Sequence, residues 1–436
     1  MGDTICAIAT PHGRGGIGIV RVSGPASAHI GKAVIGRLPT PRKATHARFR
    51  SASGDILDEG VALFYPAPAS YTGEDVLELQ GHGSPVALEN LVARVLEFDA
   101  RLANPGEFTE RAFRNDKLDL AQAEAVADLI ASGTAEAARA AARSLSGEFS
   151  RKLHATDQKI LDLRTFVEGA IDFADEEIDF LSDSEAGFHL QQIKDEVATI
   201  LHQATAGMTM QLGLNVAIAG APNVGKSSLL NALLGEDRAI VTATAGTTRD
   251  TLHGEISLDG LPVRLTDTAG LHESEDPIEI EGMQRARAAL DLADWVVWVF
   301  DDREESLPLP AAWAAKSIVV RNKCDLSGWD AGQIAPNRFR TSALSGAGLA
   351  ELQAGLKRVA GFSGGTDAIA GRPRHVAALK RAKSALQHAE SELNLGHGEL
   401  VAENLRLSHD CIGEIVGETS SDDLLGAIFS KFCIGK

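Results

Sequence analysis

Apolar residues change their spacing several times along the chain, and each spacing predicts a different kind of element. Up to about residue 117 the apolar runs are short and β-type: Ile17–Val22, Val61–Tyr65 and Val76–Leu79. Turn-formers separate them, and one helix is expected near 86–97. From 118 to 212 Ala, Leu, Glu and Gln recur at helical intervals with few Gly or Pro, which predicts long helices. From 213 to 360 apolar strands alternate with helical stretches, as in a βα-wound sheet. Gly361–Gly371 reads as a flexible linker, after which helical texture returns and lasts nearly to Lys436.

Two helical blocks thus flank an α/β stretch, and neither looks self-contained. The expected fold class is multidomain, combining α/β and α. An α+β domain (1–117) precedes one helical domain (118–212 and 361–436) that is interrupted by an inserted α/β domain (213–360). At 436 residues the chain is too long for one ordinary core.

Composition narrows the class. With 44% hydrophobic and 23% charged residues the chain reads as globular. It has no apolar run of roughly eighteen residues and no basic stretch leading into an apolar one at Met1-Gly2-Asp3-Thr4. The expectation is a cytoplasmic protein that does not meet a membrane. Cys6, Cys324, Cys411 and Cys433 are scattered, which fits a reducing compartment and argues against structural zinc.

Net charge is −18, so no general basic surface for nucleic acid is expected. The charge is uneven, however. Residues 1–50 carry eight Lys or Arg and Asp3 as their only acid, whereas Asp172, Asp175, Glu176, Glu177, Asp179, Asp183 and Glu185 crowd one segment. Both clusters fit a solvated surface equally well, and any RNA contact should be local.

The chemistry begins at Gly220-Ala221-Pro222-Asn223-Val224-Gly225-Lys226-Ser227. This G-x-x-x-x-G-K-S follows the apolar run Leu214–Ala219 and opens a helix-like run from Ser228, the context a phosphate-binding loop requires. Its backbone N–H groups can turn toward phosphates, Lys226 can reach the β and γ oxygens, and the Ser227 hydroxyl can ligate Mg²⁺. Asp267-Thr268-Ala269-Gly270 ends a second apolar strand, with the Asp placed for the Mg²⁺ shell and the Gly amide for the γ-phosphate. Asn322-Lys323-Cys324-Asp325 ends a third. The Asp325 carboxylate can accept from guanine N1–H and the exocyclic amine, a donor pair adenine lacks, so GTP is expected rather than ATP. Ser342-Ala343-Leu344 would cover the base, and Cys324 reads as filler between the base-reading residues.

Between the first two motifs lies Thr242-Ala243-Thr244-Ala245-Gly246-Thr247-Thr248-Arg249-Asp250. Thr248 is the residue chosen there to complete Mg²⁺ coordination; a hydroxyl-rich loop without metal is the alternative. Leu271 stands where many GTPases place a water-orienting Gln, so hydrolysis must recruit another group. Glu279, in an acidic segment with Glu273, Glu275, Asp276 and Glu281, could orient water or could belong to a solvated loop.

Taken together, these motifs resemble the TrmE (MnmE) family of tRNA modification GTPases. The likeness is carried by Gly246-Thr247-Thr248-Arg249-Asp250, Asp267–Leu271 and the closing Phe432-Cys433-Ile434-Gly435-Lys436, and equally by Tyr71–Glu78, Asn104–Phe113 and Asn115–Glu124. It covers essentially the whole chain and implies a Ras-like P-loop G domain inserted in the helical domain. It further implies that the N-terminal domain binds 5-formyl- or 5,10-methylene-tetrahydrofolate through Arg21, Glu78, Lys117 and Lys436, and joins two chains as a homodimer. In place of an arginine finger the family uses K⁺, held at the positions of Asn223, Thr242, Thr244 and Thr247, while Glu279 matches its water-positioning glutamate. Cys433 matches a near-terminal cysteine whose role the residues do not reveal. By the same resemblance the chain works with an FAD-containing partner, MnmG, in a heterotetramer-type complex on tRNA. The pair adds a carboxymethylaminomethyl or aminomethyl group to C5 of the wobble uridine, with G-domain closure as the switch. A ribosome-assembly GTPase and a folate-dependent one-carbon transferase with a regulatory GTPase are the competing classes. The first normally carries a basic RNA-binding appendage, which this acidic chain does not show.

Overall fold

The computed structural model describes residues 2–172, 184–236, 253–267, 286–304, 309–362, 367–418, 422–432 and 434–435. They divide into two compact units: Met1–Ala127 with Ser144–Ile193 and Arg381–Lys436, and Asp128–Arg143 with Lys194–Lys380.

The first unit opens with strands β1 (Ile5–Ile8), β2 (Gly15–Ser23), β3 (Thr45–Arg50), β4 (Ile56–Tyr65), β5 (Val76–Gly83) and β6 (Arg101–Leu102). They form one sheet in the order β3-β4-β5-β2-β1-β6, antiparallel except for β1 beside β6. Val20 and Val22 stand opposite Leu79 and Leu77, and all four are buried. Helices α1 (Ser27–Ile35) and α2 (Pro85–Leu96) add Ile30, Val34, Leu88, Leu91 and Val95, at helical spacing, to the same core. Burying each such side chain is worth about 1.5–3 kcal/mol, enough to fix both helices on that face. The two-residue period then leaves Arg21 and Glu78 on the opposite face.

Strands β2, β4, β5 and helix α2 lie where the apolar pattern placed them. Strand β3 escaped that pattern because basic residues occupy its alternate positions.

Helices follow: α3 (Glu107–Arg114), α4 (Leu120–Ala131), α5 (Ala135–Leu145), α6 (Glu148–Asp172) and α7 (Ser184–Leu212), then Pro373–Asn394, Gly398–Val416 and Asp422–Phe429. Within the first unit α6 packs along Gly398–Val416, burying Phe149, Leu153, Ile160 and Val167 on one side and Val401, Leu405, Ile412 and Ile415 on the other. Spacings of three, four and seven put each set on one helical stripe. No helix among the described residues is long and apolar enough to cross a membrane.

The second unit is built on strands β7 (Leu214–Gly220), β8 (His253–Leu258), β9 (Leu261–Asp267), β10 (Trp295–Asp301), β11 (Ser317–Asn322), β12 (Gly332–Ala335) and β13 (Arg338–Arg340). Their order is β12-β13-β11-β10-β7-β9-β8, parallel apart from the antiparallel edge pairs β8·β9 and β12·β13. The inner strands are near-continuous apolar runs, as a sheet covered on both faces demands. Helix α8 (Lys226–Glu236) follows β7.

One expectation needs correcting. Gly361–Gly371 was read as a flexible linker, yet Phe362, Ala368, Ile369 and Ala370 are buried, and Ile369 N–H donates to Gln203 O at 3.3 Å. The apolar Ala368-Ile369-Ala370 outweighs the glycines around it.

Candidate functional site

Four parallel strands of the second sheet end side by side in Gly220 (β7), Asp267 (β9), Asp301 (β10) and Asn322 (β11). The carboxyl edge of an open α/β sheet is where such folds bind ligands. Register fixes the arrangement: Ile218 pairs with Asp267, Val299 with Gly220, and Asp301 with Asn322.

The loop after β7 turns through Asn223 at φ 62° and Gly225 at φ 93° into the N-terminus of α8. Unbonded N–H groups and the helix dipole there favour an anion. Lys226 Nζ donates to the carbonyls of Gly220 (3.0 Å) and Ala221 (2.9 Å), which holds it inside the loop. Burial lowers its pKa, opposed by the nearby Asp267 charge. Ser227 Oγ donates to Asp267 Oδ2 at 2.7 Å. Asp267 is 2% exposed, and its Oδ1 has no hydrogen-bond partner among the described residues. A buried carboxylate oxygen left bare beside a serine hydroxyl is the donor set a hard divalent cation takes, so the residues present fit Mg²⁺.

The base-reading loop is tied directly to the phosphate loop. Asn322 is 1% exposed; its Nδ2 donates to Val224 O at 3.0 Å, and its Oδ1 accepts from Ala343 N–H at 3.0 Å. Lys323, at φ 68°, reaches Asn223 O at 2.6 Å and Asp301 Oδ2 at 2.9 Å. Ser342 is buried, while Asp325 and Leu344 are exposed at the rim. Cys324 is buried, and burial raises its pKa, as befits an inert packing thiol.

The sequence reading missed Asp301 and Asp302. Asp301 binds Arg303 and Lys323, and the Arg303 guanidinium, followed by Lys323, holds its carboxyl well below the ordinary range. Asp302 is buried and pairs with Arg340 at 3.0 Å and Arg321 at 3.5 Å. The available signal was an acid pair closing the apolar run of β10 beside two strands already read as functional.

In the first unit the expected folate residues Arg21 and Glu78 meet across β2 and β5, with Arg21 Nε donating to Glu78 Oε1 at 3.0 Å. The Arg21 guanidinium also lies 5.6 Å from the Tyr71 ring centre and 5.7 Å from that of Phe108. A cation, a carboxylate and aromatic faces are chemistry that fits a pterin with an acidic tail. Lys117 is exposed, near Gly73. The closing segment reaches this domain: a Cβ on Gly435 would come within 2.2 Å of Ile8 O, at the end of the strand whose Ala7 pairs with Arg21. The motif residues Glu74, Glu107 and Arg111 form a structural network. Arg111 bonds both carboxylates, and Arg101 grips Glu107, which is 7% exposed.

Thr242, Ala243, Thr244, Ala245, Gly246, Thr247, Thr248, Thr268, Ala269, Gly270, Leu271, Glu279, Cys433 and Lys436 lie outside the described residues.

Comparison with known proteins completes the picture. Residues 4–117 match the family described as GTP-binding protein TrmE N-terminus, and residues 120–433 match the MnmE helical domain. The tRNA modification GTPase MnmE of Pseudomonas syringae pv. tomato is 49% identical over 451 residues, covering 100% of this chain and 99% of that protein. Its counterparts in Stutzerimonas stutzeri and Pseudomonas aeruginosa are each 49% identical over 450 residues, with the same coverage.

Proposed function

The chain belongs to the MnmE (TrmE) family of tRNA modification GTPases, and we propose that its GTP hydrolysis serves the addition of a carboxymethylaminomethyl or aminomethyl group to C5 of the tRNA wobble uridine. The reaction is shared with an FAD-containing partner, MnmG, in a heterotetramer-type complex. The one-carbon unit comes from tetrahydrofolate and the remainder from glycine or ammonium.

The observation that carries the GTPase half is the convergence of Ser227, Asp267 and Asn322 on one sheet edge, with the Asp267 carboxylate half-satisfied. Lys226 and the loop N–H groups orient the phosphates, and Asp325 selects guanine. Ser227, Thr248 and the Asp267 carboxylate hold Mg²⁺, which supplies neutralisation of charge on the phosphate oxygens. Asn223, Thr242, Thr244 and Thr247 hold K⁺, and Glu279 orients water. Closing that loop builds the surface on which the two G domains of a cytoplasmic homodimer dock.

For the folate half, Arg21 and Glu78 present cation and carboxylate on the helix-free sheet face, with Lys117 and Lys436 adding positive charge for the glutamate tail. The deciding experiment compares nucleosides from digested tRNA of a strain lacking the gene with those of a complemented strain. Loss of the C5-modified wobble uridine is expected, and identical nucleosides in both strains would rule the assignment out.

A further inference from the structure

Residues 4–54 contain no acid, in a chain with 60 Asp and Glu against 42 Lys and Arg. The fold gathers most of that stretch's cations along one edge of the first sheet. Strand β3 is the edge strand. Ala47 and Phe49 turn toward the apolar core, so the two-residue period turns His46, Arg48 and Arg50 away from it, and all three are exposed. Helix α1 packs against β3, with exposed Lys32 in its last turn and exposed Arg37 just past its Gly36 cap. Exposed Arg42 and Lys43 lie in the turn entering β3, pinned by Lys43 N–H to Thr40 O at 3.1 Å.

Acids on the neighbouring strand and turn are already engaged. Glu59 takes Arg48 at 3.4 Å, Asp58 takes His82 at 2.7 Å, and Asp55 accepts from Ser53 Oγ at 2.6 Å. Arg42 donates to Ala69 O and Arg50 to Gly54 O. Lys32, Arg37 and Lys43 have no side-chain partner among the described residues.

We infer that this edge is a docking surface for the phosphate backbone of RNA, the place where this chain holds tRNA. It rests on the tRNA reading above and adds its location. Along β3 the cations recur every ~6.6–6.8 Å, a row suited to a regularly charged strand rather than to one isolated anion. The exposed residues of 32–50 include no Phe, Tyr, Trp, Leu or Ile, so the patch offers neither a base-stacking platform nor an anchor for lipid hydrocarbon. It therefore grips phosphates and reads no base. In a chain of net charge −18 a local positive edge also steers a polyanion to one place.

The test uses the full chain and a fluorescently labelled tRNA transcript, titrated at several KCl concentrations. The variant combines Lys32→Gln, Arg37→Gln and Lys43→Gln. A control combines Arg14→Gln, Arg338→Gln and Lys380→Gln, which removes the same charge elsewhere. Each lost phosphate contact should reduce the slope of log K against log[salt] by about 0.7–0.9. Three contacts therefore reduce it by about 2–3 and weaken binding near 0.15 M salt on the order of 10- to 100-fold. The control should bind like wild type, the GTPase rate without tRNA should not change, and an unrelated tRNA should bind equally. Variant affinity within twofold of wild type, or an equal loss in the control, overturns the proposal. Preferential binding to phosphatidylglycerol vesicles or polyglutamate over tRNA assigns the edge to lipid or acidic protein and overturns it too. Wild-type protein that binds no tRNA overturns the tRNA reading itself, so the two failures are distinguishable.

Discussion

Gly225→Ala tests how the two halves of the nucleotide site hold each other. Gly225 sits at φ 93°, and a Cβ built on it would lie 2.4 Å from Asn322 Nδ2. Left-handed strain at a non-glycine residue costs about 1–2 kcal/mol. Relieving the overlap pushes the Asn322 amide off Val224 O and Ala343 N–H, both 3.0 Å away. Asn322 is 1% exposed, so the groups left behind are buried, at about 1–3 kcal/mol for each one unsatisfied. The sum is roughly 3–6 kcal/mol, divided between the stability of this unit and nucleotide affinity. GDP affinity by calorimetry and urea unfolding should together recover it. The cause is isolated by repeating the substitution in an Asn322→Ala background, where the overlap is gone and only the strain of about 1–2 kcal/mol remains. A coupling of about 2 kcal/mol or more is expected between the sites. Equal costs in both backgrounds would refute the steric argument.

With no arginine assigned to the γ-phosphate, hydrolysis should run faster in KCl than in NaCl, and Asn223→Ala should narrow that gap; equal rates in the two salts would exclude a cation cage. Arg21→Ala should weaken 5-formyl-tetrahydrofolate binding at least tenfold, since a charge-assisted contact is worth about 1.5–3 kcal/mol; calorimetry showing unchanged affinity would remove Arg21 from that site. The Asp301 carboxyl is held below the ordinary carboxylate range chiefly by Arg303. Its stabilisation is therefore complete above the unfolded pKa of about 3.9 and is lost as pH falls through the lower folded value. Asp301→Asn should accordingly be destabilised most above pH ~5 and converge on wild type in acid; a stability gap that widens on acidification would contradict this.

The nucleotide loop, the Asp267 and Asn322 motifs and the family likeness were all legible in the sequence, because each is a short stretch whose chemistry follows from residues near in the chain. Strand, glycine-rich turn and helix are local products of apolar spacing and backbone freedom. What the residues could not reveal depends on which strands become neighbours and in what register. That Arg21 faces Glu78 follows from the β2·β5 pairing, since a slip of one residue would put each on the other face. That Asn322 closes on Val224 O, and that Asp301 holds Lys323 over Asn223, requires β7, β10 and β11 to end together in one parallel sheet. Glycines around residue 369 locally favour a loose linker, and only the packed interior of the second unit makes burial of Ile369 the stronger term. Eight cations in the first fifty residues are a tally until α1 and the edge strand β3 bring most of them onto one surface. Local spacing chose the elements, and long-range register and burial decided which side chains meet.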